Sequence, residues 1–458
     1  MQLPKEFLQS LKPLPGYDEE AFLKVHEDGE QVTSIRINPP KFPGKTKEEI
    51  IEELSYLSPG VSKIPWTELG YYLSSRPSFT FDPLFHAGAY YVQEASSMFL
   101  ETIFNQLVKV DQPLKVLDLS AAPGGKSTHI QSLISAESLL VSNEVIRNRA
   151  MVLRDNVIKW GSSNVVISNN DPSIFKKLQG YFDVIVVDAP CSGSGLFRKD
   201  PAAIEEWSLN NVALCSQRQQ RILADVLPSL KENGILVYST CSYSEEEDEG
   251  IVKWMEESFE LKTRTVNLPA DSGIVESTKG YRFYPDKIKG EGFFIAILEK
   301  TSTETELLPR AAKLEKATNR DKNVLSSWMD LHGVEIFHEK GFYYLLPENL
   351  MEDYSMLRSV LNIQYPGNGI GKIMHDKLVP DHSLALSSRV NKSLPSWSLD
   401  LENAIKYLQR QEIAGLPTIK GWQTVNYKSY NLGWINALAN RINNYYPKEL
   451  RILKQGNG

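Results

Sequence analysis

Val116-Leu117-Asp118-Leu119-Ser120-Ala121-Ala122-Pro123-Gly124-Gly125-Lys126 runs an apolar strand into a turn of small residues and on into a helix. Small residues let backbone amides approach a ligand closely, and a helix N-terminus favours negative charge. Spacing excludes two other nucleotide loops. Gly125-Lys126-Ser127 has the end of a phosphate-binding P-loop, but that motif needs glycine where this chain has Ser120. The dinucleotide fingerprint G-x-G-x-x-G is absent.

Outward from that stretch, short apolar runs alternate with amphipathic helical segments from about 114 to 299, the pattern of a βαβ sheet. Strands are predicted at 114–119, 139–143, 164–168, 183–188 and 235–240, with a late edge strand at 292–299. Helices are predicted to begin near Gly125, Arg147 and Trp207. Glu144 stands at the end of the second strand, where a carboxylate can accept both ribose hydroxyls of a nucleoside lying across the strand ends. Asp171 ends the turn after the third strand, within reach of an adenine amino group. Either acid alone reads as a helix cap or turn residue. Placed at successive strand ends, the two together read as a nucleoside site.

The flanks are of different character. Residues 1–80 mix a short helical start with a strand stopped by Pro39 and Pro40, then a helix over 46–57. The sheet-forming part is taken as 81–300. A polar linker at 301–305 leads into a small mixed segment ending near 380. Residues 381–458, rich in Gly, Pro, Tyr and Trp, read as a compact β-containing domain, and no internal repeat is present. At 458 residues the chain is too long for one core and divides into about three or four domains.

Composition mostly excludes. No apolar run approaches the ~20 residues needed to span a bilayer, and Met1-Gln2-Leu3-Pro4-Lys5 lacks a signal-peptide pattern, so a cytoplasmic protein is expected. Three cysteines with no C-x-x-C pair argue against a disulfide framework or structural zinc, and seven scattered histidines predict no metal site. The net charge of -7 is uneven: residues 381–458 carry ten basic against five acidic side chains, whereas 1–300 carry 31 against 41. That asymmetry reads equally as a basic RNA-facing surface or as ordinary solvated charge, and by itself it does not imply RNA.

The cysteines are more informative. Cys215 falls within an amphipathic helical stretch and is assigned to core packing. Cys191, in Asp188-Ala189-Pro190-Cys191-Ser192-Gly193, follows the fourth strand, and Cys241, in Thr240-Cys241-Ser242, follows the fifth. If those strands are parallel neighbours, both thiols and Asp188 emerge at the ligand-binding edge of the sheet. One reaction needs such a thiol. Carbon 5 of cytosine is too weak a nucleophile to accept a methyl group until a thiolate adds to carbon 6 and turns the ring into an enamine. The addition also needs a proton or hydrogen bond at N3, a task suited to Asp188. The residues alone do not say which cysteine attacks.

With these motifs assembled, the chain resembles the bacterial RsmF-type members of the Sun-like RNA cytosine-5 methyltransferases. The stretch 121–126 is similar to that family's cofactor loop, 188–193 to its first-cysteine signature and 240–242 to the segment carrying the nucleophile. Arg36-Ile37-Asn38 and 290–296 are similar to its N-terminal signature and closing strand. The resemblance implies a Rossmann-like class I methyltransferase domain with a mostly parallel seven-stranded sheet, a small N-terminal α+β domain, and C-terminal α+β and PUA-like β domains.

It further implies S-adenosylmethionine as cofactor, with Ser120, Ala121, Ala122, Pro123, Gly124, Gly125, Lys126, Glu144, Asp171 and Asp188 contacting the cofactor or the target base. Cys241 would attack carbon 6 and Cys191 would assist release. Ser120 stands where many relatives carry cysteine or alanine, a change between small residues that predicts no loss of binding. The implied partner is RNA, 16S ribosomal RNA or the 30S subunit near the decoding centre, bound by a monomer without metal or membrane. A transfer RNA substrate and a catalytically silent assembly factor are the competing expectations. An amine methyltransferase is disfavoured because Cys191 sits where its polar-aromatic clamp would be.

Overall fold

A computed structural model describes residues 3–303 and 305–454. Met1, Gln2 and the Glu304 position of the expected linker lie outside the described residues. At the centre is a ten-stranded sheet. Its strands are β1 (Lys115–Asp118), β2 (Leu139–Asn143), β3 (Val165–Ser168), β4 (Phe182–Asp188), β5 (Leu230–Thr240), β6 (Leu261–Arg264), β7 (Val275–Glu276), β8 (Tyr281–Phe283), β9 (Phe293–Lys300) and β10 (Ile363–Tyr365). They lie in the order β7-β8-β9-β5-β4-β1-β2-β3-β10, with β6 also paired to β9. The pairs β4–β5, β1–β4, β1–β2 and β2–β3 are parallel.

These strands read as continuous apolar runs because both faces are covered. Leu117, Val141, Val166, Ile185 and Leu236 point into one core, and Val116, Leu140, Val165, Val184 and Val237 into the other. Helices α1 (Gly125–Leu133) and α2 (Arg147–Trp160) cover the second face with Ile130, Leu153 and Val157. Helices α3 (Leu209–Val226) and α4 (Glu249–Ser258) cover the first with Ile222, Leu223, Val226, Ile251, Val252 and Met255. Cys215 is buried on α3, as its amphipathic setting implies.

Two features depart from expectation. The run at 292–299 was expected at a sheet edge, yet β9 is interior: it pairs with β5 along one side and with β8 and β6 along the other. The uninterrupted sequence Phe293-Phe294-Ile295-Ala296-Ile297-Leu298 has no polar alternation, and every one of those residues is buried. The sheet also exceeds seven strands. The seven of the methyltransferase pattern (β1–β6 and β9) are extended by the β7–β8 hairpin and by β10, which arrives antiparallel to β3 from far downstream.

Three further sheets belong to the flanking units. An N-terminal sheet runs Val61–Lys63, Gly70–Leu73, Thr33–Ile37, Tyr90–Val92, so it reaches past residue 80. A five-stranded sheet lies between Glu315 and Pro380, and a four-stranded sheet between Ser396 and Asn444. The first and last of these units share one core, in which Ile35, Tyr71 and Leu84 belong with Tyr407, Leu432 and Ile435. Among the described residues, no helix is long and apolar enough to cross a membrane.

Arg36 joins the N-terminal sheet to the start of α1. Its guanidinium is fully buried, donates to Gln93 Oε1 at 2.8 Å and Thr128 Oγ1 at 2.6 Å, and lies 4.4 Å from the Trp160 ring. It also reaches the carbonyls of Gly125 and Thr128, each at 3.3 Å, so the first turn of α1 is held from behind. Asn38 does the same for the other helix, donating to the Trp160 carbonyl at 3.0 Å. Replacing Arg36 with methionine leaves several buried acceptors unpaired, and Arg36→Met should lower unfolding free energy by about 3 kcal/mol. Urea denaturation measures it, and an unchanged midpoint would refute the role.

Candidate active site

The parallel strands end together along one edge, and every expected site residue lies there. Ser120 through Gly124 form the turn from β1 into α1, which Gly125 and Lys126 open, and the turn is held by the Ala121 amide donating to the Asn143 carbonyl at 2.8 Å. Arg149 and Asn156, both on α2, donate to the carbonyls of Ala122 and Pro123 at 2.8 Å each. Gly124 adopts φ +116°, a left-handed conformation that glycine takes freely, and it packs under Leu153. These bonds leave a turn of small residues braced from below by α2.

Two buried carboxylates flank the turn. Asp118 ends β1 and is fully buried; one oxygen accepts from the Ser127 hydroxyl at 2.6 Å, and Oδ1 has no hydrogen-bond partner. Burial raises its pKa from 3.8 to about 7. Glu144 follows β2; one oxygen accepts from the Ile146 amide at 2.9 Å, while Oε2 has no hydrogen bond and only Arg149 at 3.7 Å. Unpartnered buried carboxylate oxygens beside a small-residue turn are the acceptors a nucleoside with a charged amino-acid tail requires. Asp171 is less committed. It is exposed and caps the turn of helix that follows, accepting from the Ser173 amide at 3.0 Å, with Arg221 at 3.9 Å.

The thiols lie on the neighbouring strand ends. In the parallel register of β4 and β5, Asp188 is opposite Ser239. The chain beyond each strand then brings Cys191 Sγ within 3.0 Å of Cys241 Sγ, both unbridged. The hydrogen bond it shares with Cys241, followed by burial, pushes the Cys191 thiol well above its ordinary value. Asp188 Oδ1 accepts from the Ser239 hydroxyl at 2.8 Å, and Oδ2 is 2.7 Å from the Lys126 ammonium. The start of α1 and the end of β4 therefore touch through this ion pair.

Several residues that hold this arrangement were invisible in the sequence reading. Glu247, fully buried, accepts from the Ser192 amide at 2.8 Å, the Ser192 hydroxyl at 2.5 Å and the Ser242 hydroxyl at 2.7 Å, tying the residues that follow the two cysteines together. Burial raises its pKa. The Gly195 amide donates to the Cys241 carbonyl at 2.8 Å, and any side chain at Gly195 would meet the Gly292 carbonyl. Beneath, Arg282 is buried against Asp248 and Glu249 and donates to the Tyr243 carbonyl at 3.0 Å. The run Glu245-Glu246-Glu247-Asp248-Glu249 reads as a solvated acidic face, yet its last three members are buried. Asp118, a charge closing an apolar strand, was the one legible signal.

A mostly parallel sheet in this order, with a small-residue turn after β1 and acids after β1 and β2, defines an S-adenosylmethionine-dependent class I methyltransferase. Three family descriptions match the chain: the N-terminal domain of 16S rRNA methyltransferase RsmF over residues 3–95, 16S rRNA methyltransferase RsmB/F over 106–299, and the methyltransferase RsmF PUA domain over 395–452. A ribosomal RNA small subunit methyltransferase F from Shewanella piezotolerans is 28% identical, with 91% of this chain and 90% of the relative covered. One from Pectobacterium atrosepticum is 26% identical, with 98% and 96% covered.

Among solved structures, a methyltransferase homologue from Pyrococcus horikoshii matches with a TM-score of 0.52 at 28% identity, over 65% of this chain and all (100%) of that one. NSun6 from the same organism, solved with SFG, matches in fold with a TM-score of 0.54 at 23% identity, over 65% of this chain and 98% of that one. The chain belongs to the RsmF family of methyltransferases.

Two outcomes test the site's construction. The folded chain keeps a proton on Asp118 that the unfolded chain gives up near its ordinary pKa of 3.8, so the stability it contributes is full below about pH 4 and lost as pH rises through about 7. Relative to Asp118→Asn, the parent protein should lose stability between about pH 4 and about pH 7; parallel profiles in urea titrations would count against it. Glu247→Ala should lower the methyl-transfer rate by about 100-fold through misplaced thiols while leaving S-adenosylmethionine affinity intact. Equal loss of both would mean general unfolding instead.

Proposed function

We propose that this methyltransferase acts on carbon 5 of a cytosine in 16S ribosomal RNA, with Cys241 as covalent nucleophile. The observation that carries the proposal is the pair of thiols 3.0 Å apart beside Asp188 at the cofactor edge of the sheet. Methylation of an amine or a hydroxyl needs no thiol. Carbon 5 of cytosine does, because it becomes nucleophilic only after a sulfur has added at carbon 6. The ribosomal substrate follows from the relatives' names and the PUA match. A target near the decoding centre rests on the RsmF-type resemblance.

In this reading Ser120 through Lys126 cradle the cofactor by their backbone, Glu144 accepts the ribose hydroxyls and Asp171 faces the adenine. Asp118, with an oxygen left unpaired, is added as a hydrogen-bond partner for the amino-acid end. When bound, S-adenosylmethionine supplies an electrophilic methyl group. Cys241 adds to carbon 6 as thiolate, and its sulfur pair becomes the new S–C bond. Asp188 meets N3, and the Lys126 ammonium 2.7 Å from its carboxyl is the adjacent proton source. Carbon 5 then takes the methyl group. Loss of the carbon 5 proton to a solvent water turns its bonding pair into the C5–C6 double bond and expels the Cys241 sulfur, and N3 returns its proton to Lys126. Cys191, whose pKa is held high, keeps its proton, does not compete as nucleophile, and is placed to protonate the departing sulfur.

Mutation separates the two thiols' roles. Cys241→Ala should abolish methyl transfer, and Cys191→Ala should accumulate a protein–RNA adduct that survives denaturing electrophoresis. Activity persisting in the first variant, or an adduct that requires Cys191, would overturn the assignment. Bisulfite sequencing of 16S and transfer RNA incubated with the enzyme identifies the substrate, and 5-methylcytosine appearing only in transfer RNA would refute the ribosomal one.

A further inference from the structure

At the far edge of the central sheet, away from the thiols, the chain encloses a cleft of about 1120 Å³. Its floor is the turn from the end of α2 into β3, through Trp160, Gly161 and Asn164. One wall comes from the segment after the N-terminal strand, around Lys41, and the other from residues 385–431 of the C-terminal part. The N-terminal and C-terminal walls are joined there by Lys41, whose ammonium donates to the Leu386 carbonyl at 2.6 Å. β3 starts at this edge and ends at the cofactor edge, and a four-residue strand spans roughly 13 Å. A single nucleotide cannot fill both places.

The charge of this cleft is opposite to that of the chain. The protein carries a net charge of -7, but Lys41, Lys45, Arg389, Lys392 and Lys428 line the cleft and, among the described residues, no carboxylate does. Lys45 is paired to Glu53 and Arg389 lies 3.9 Å from Asp330, both outside the lining. Lys392 and Lys428 have no carboxylate partner among the described residues; the Lys428 ammonium lies 4.7 Å from the Tyr56 ring. The rest of the lining is rich in uncharged hydrogen-bonding groups, with eight serines and four asparagines. Its aromatic rings, Trp160 and Tyr430, are buried and offer no face on which a base could stack.

Two lysines without an ion-paired carboxylate, surrounded by hydroxyls and amides and lacking stacking platforms, fit a sugar–phosphate backbone and do not read sequence. We propose that this cleft binds the backbone of a second segment of the RNA whose cytosine reaches Cys241. The proposal rests on the RNA methyltransferase reading above. Lys392 and Lys428 of the C-terminal part then hold the RNA backbone over a wall closed by the N-terminal segment, and the basic excess of 381–458 has a specific use.

The test is equilibrium binding of protein-free 16S RNA to the full chain across a range of salt, with and without Lys392→Glu and Lys428→Glu together. The double variant should bind on the order of tenfold more weakly, and its slope of log affinity against log salt should flatten by about two. Calorimetric affinity for S-adenosylmethionine should stay at the parent value, showing an intact fold. If that affinity falls, the single changes Lys392→Ala and Lys428→Ala serve instead, each flattening the slope by about one. RNA affinity and salt slope within twofold of the parent would overturn the proposal. So would a loss seen only with assembled 30S particles, which would make the occupant a ribosomal protein. Binding is read without chemistry, so a parent enzyme that binds RNA in this way but never methylates it would count against the functional reading and not the cleft.

Discussion

The parallel register of β4 and β5 places Asp188 opposite Ser239, and the site depends on that alignment. Each strand ends, and within a few residues each chain carries a cysteine, so the lateral spacing of two paired strands, about 4.8 Å, is converted into a thiol pair. A one-residue slip would send the side chains of β5 to the opposite face and move Cys241 away from its partner. The register is protected from both sides. Leu236 and Val237 are buried in opposite cores, and β9 pairs with β5 along its other edge.

Around that alignment the protein places charge where it is hardest to bury. Glu247, Asp248, Glu249 and Arg282 lie beneath the Cys241 loop, and Asp118 and Glu144 beside the cofactor turn. Burial makes unpaired carboxylates costly, so each must be matched by donors, retained as a protonated acid or left waiting for a ligand. All three occur. Glu247 is matched by serine donors, Asp118 holds its proton toward neutral pH, and Glu144 keeps an open oxygen. The same logic reversed describes the rear cleft, where cations collect without carboxylates.

Much of this was readable from residue pattern. A strand buried on both faces has to be apolar throughout, so the five parallel strands stood out, as did the small-residue turn after the first. Cys215 was assigned to the core by its helical setting, and it is buried there. Other features depended on partners distant in sequence. Arg36 is a charged residue in a strand, and only the fold brings Thr128 and Trp160 around it. β10 adds to the sheet nearly two hundred residues after β3, a pairing that no local pattern encodes.

By itself, then, the sequence determined the class of fold and the turn that suits a nucleoside cofactor, and it singled out the two thiols with Asp188 as the groups on which the proposed chemistry rests. These are properties of short segments: periodicity, glycine placement, and side chains that have no structural purpose at a strand end. The tertiary structure decided the rest: the 3.0 Å separation of the thiols, the Lys126–Asp188 contact, the buried members of an acidic run and the basic cleft where both ends of the chain meet. Each of those is a relation between segments far apart in the chain. Such relations exist only once packing has set which faces touch, and that is why the sequence alone could not show them.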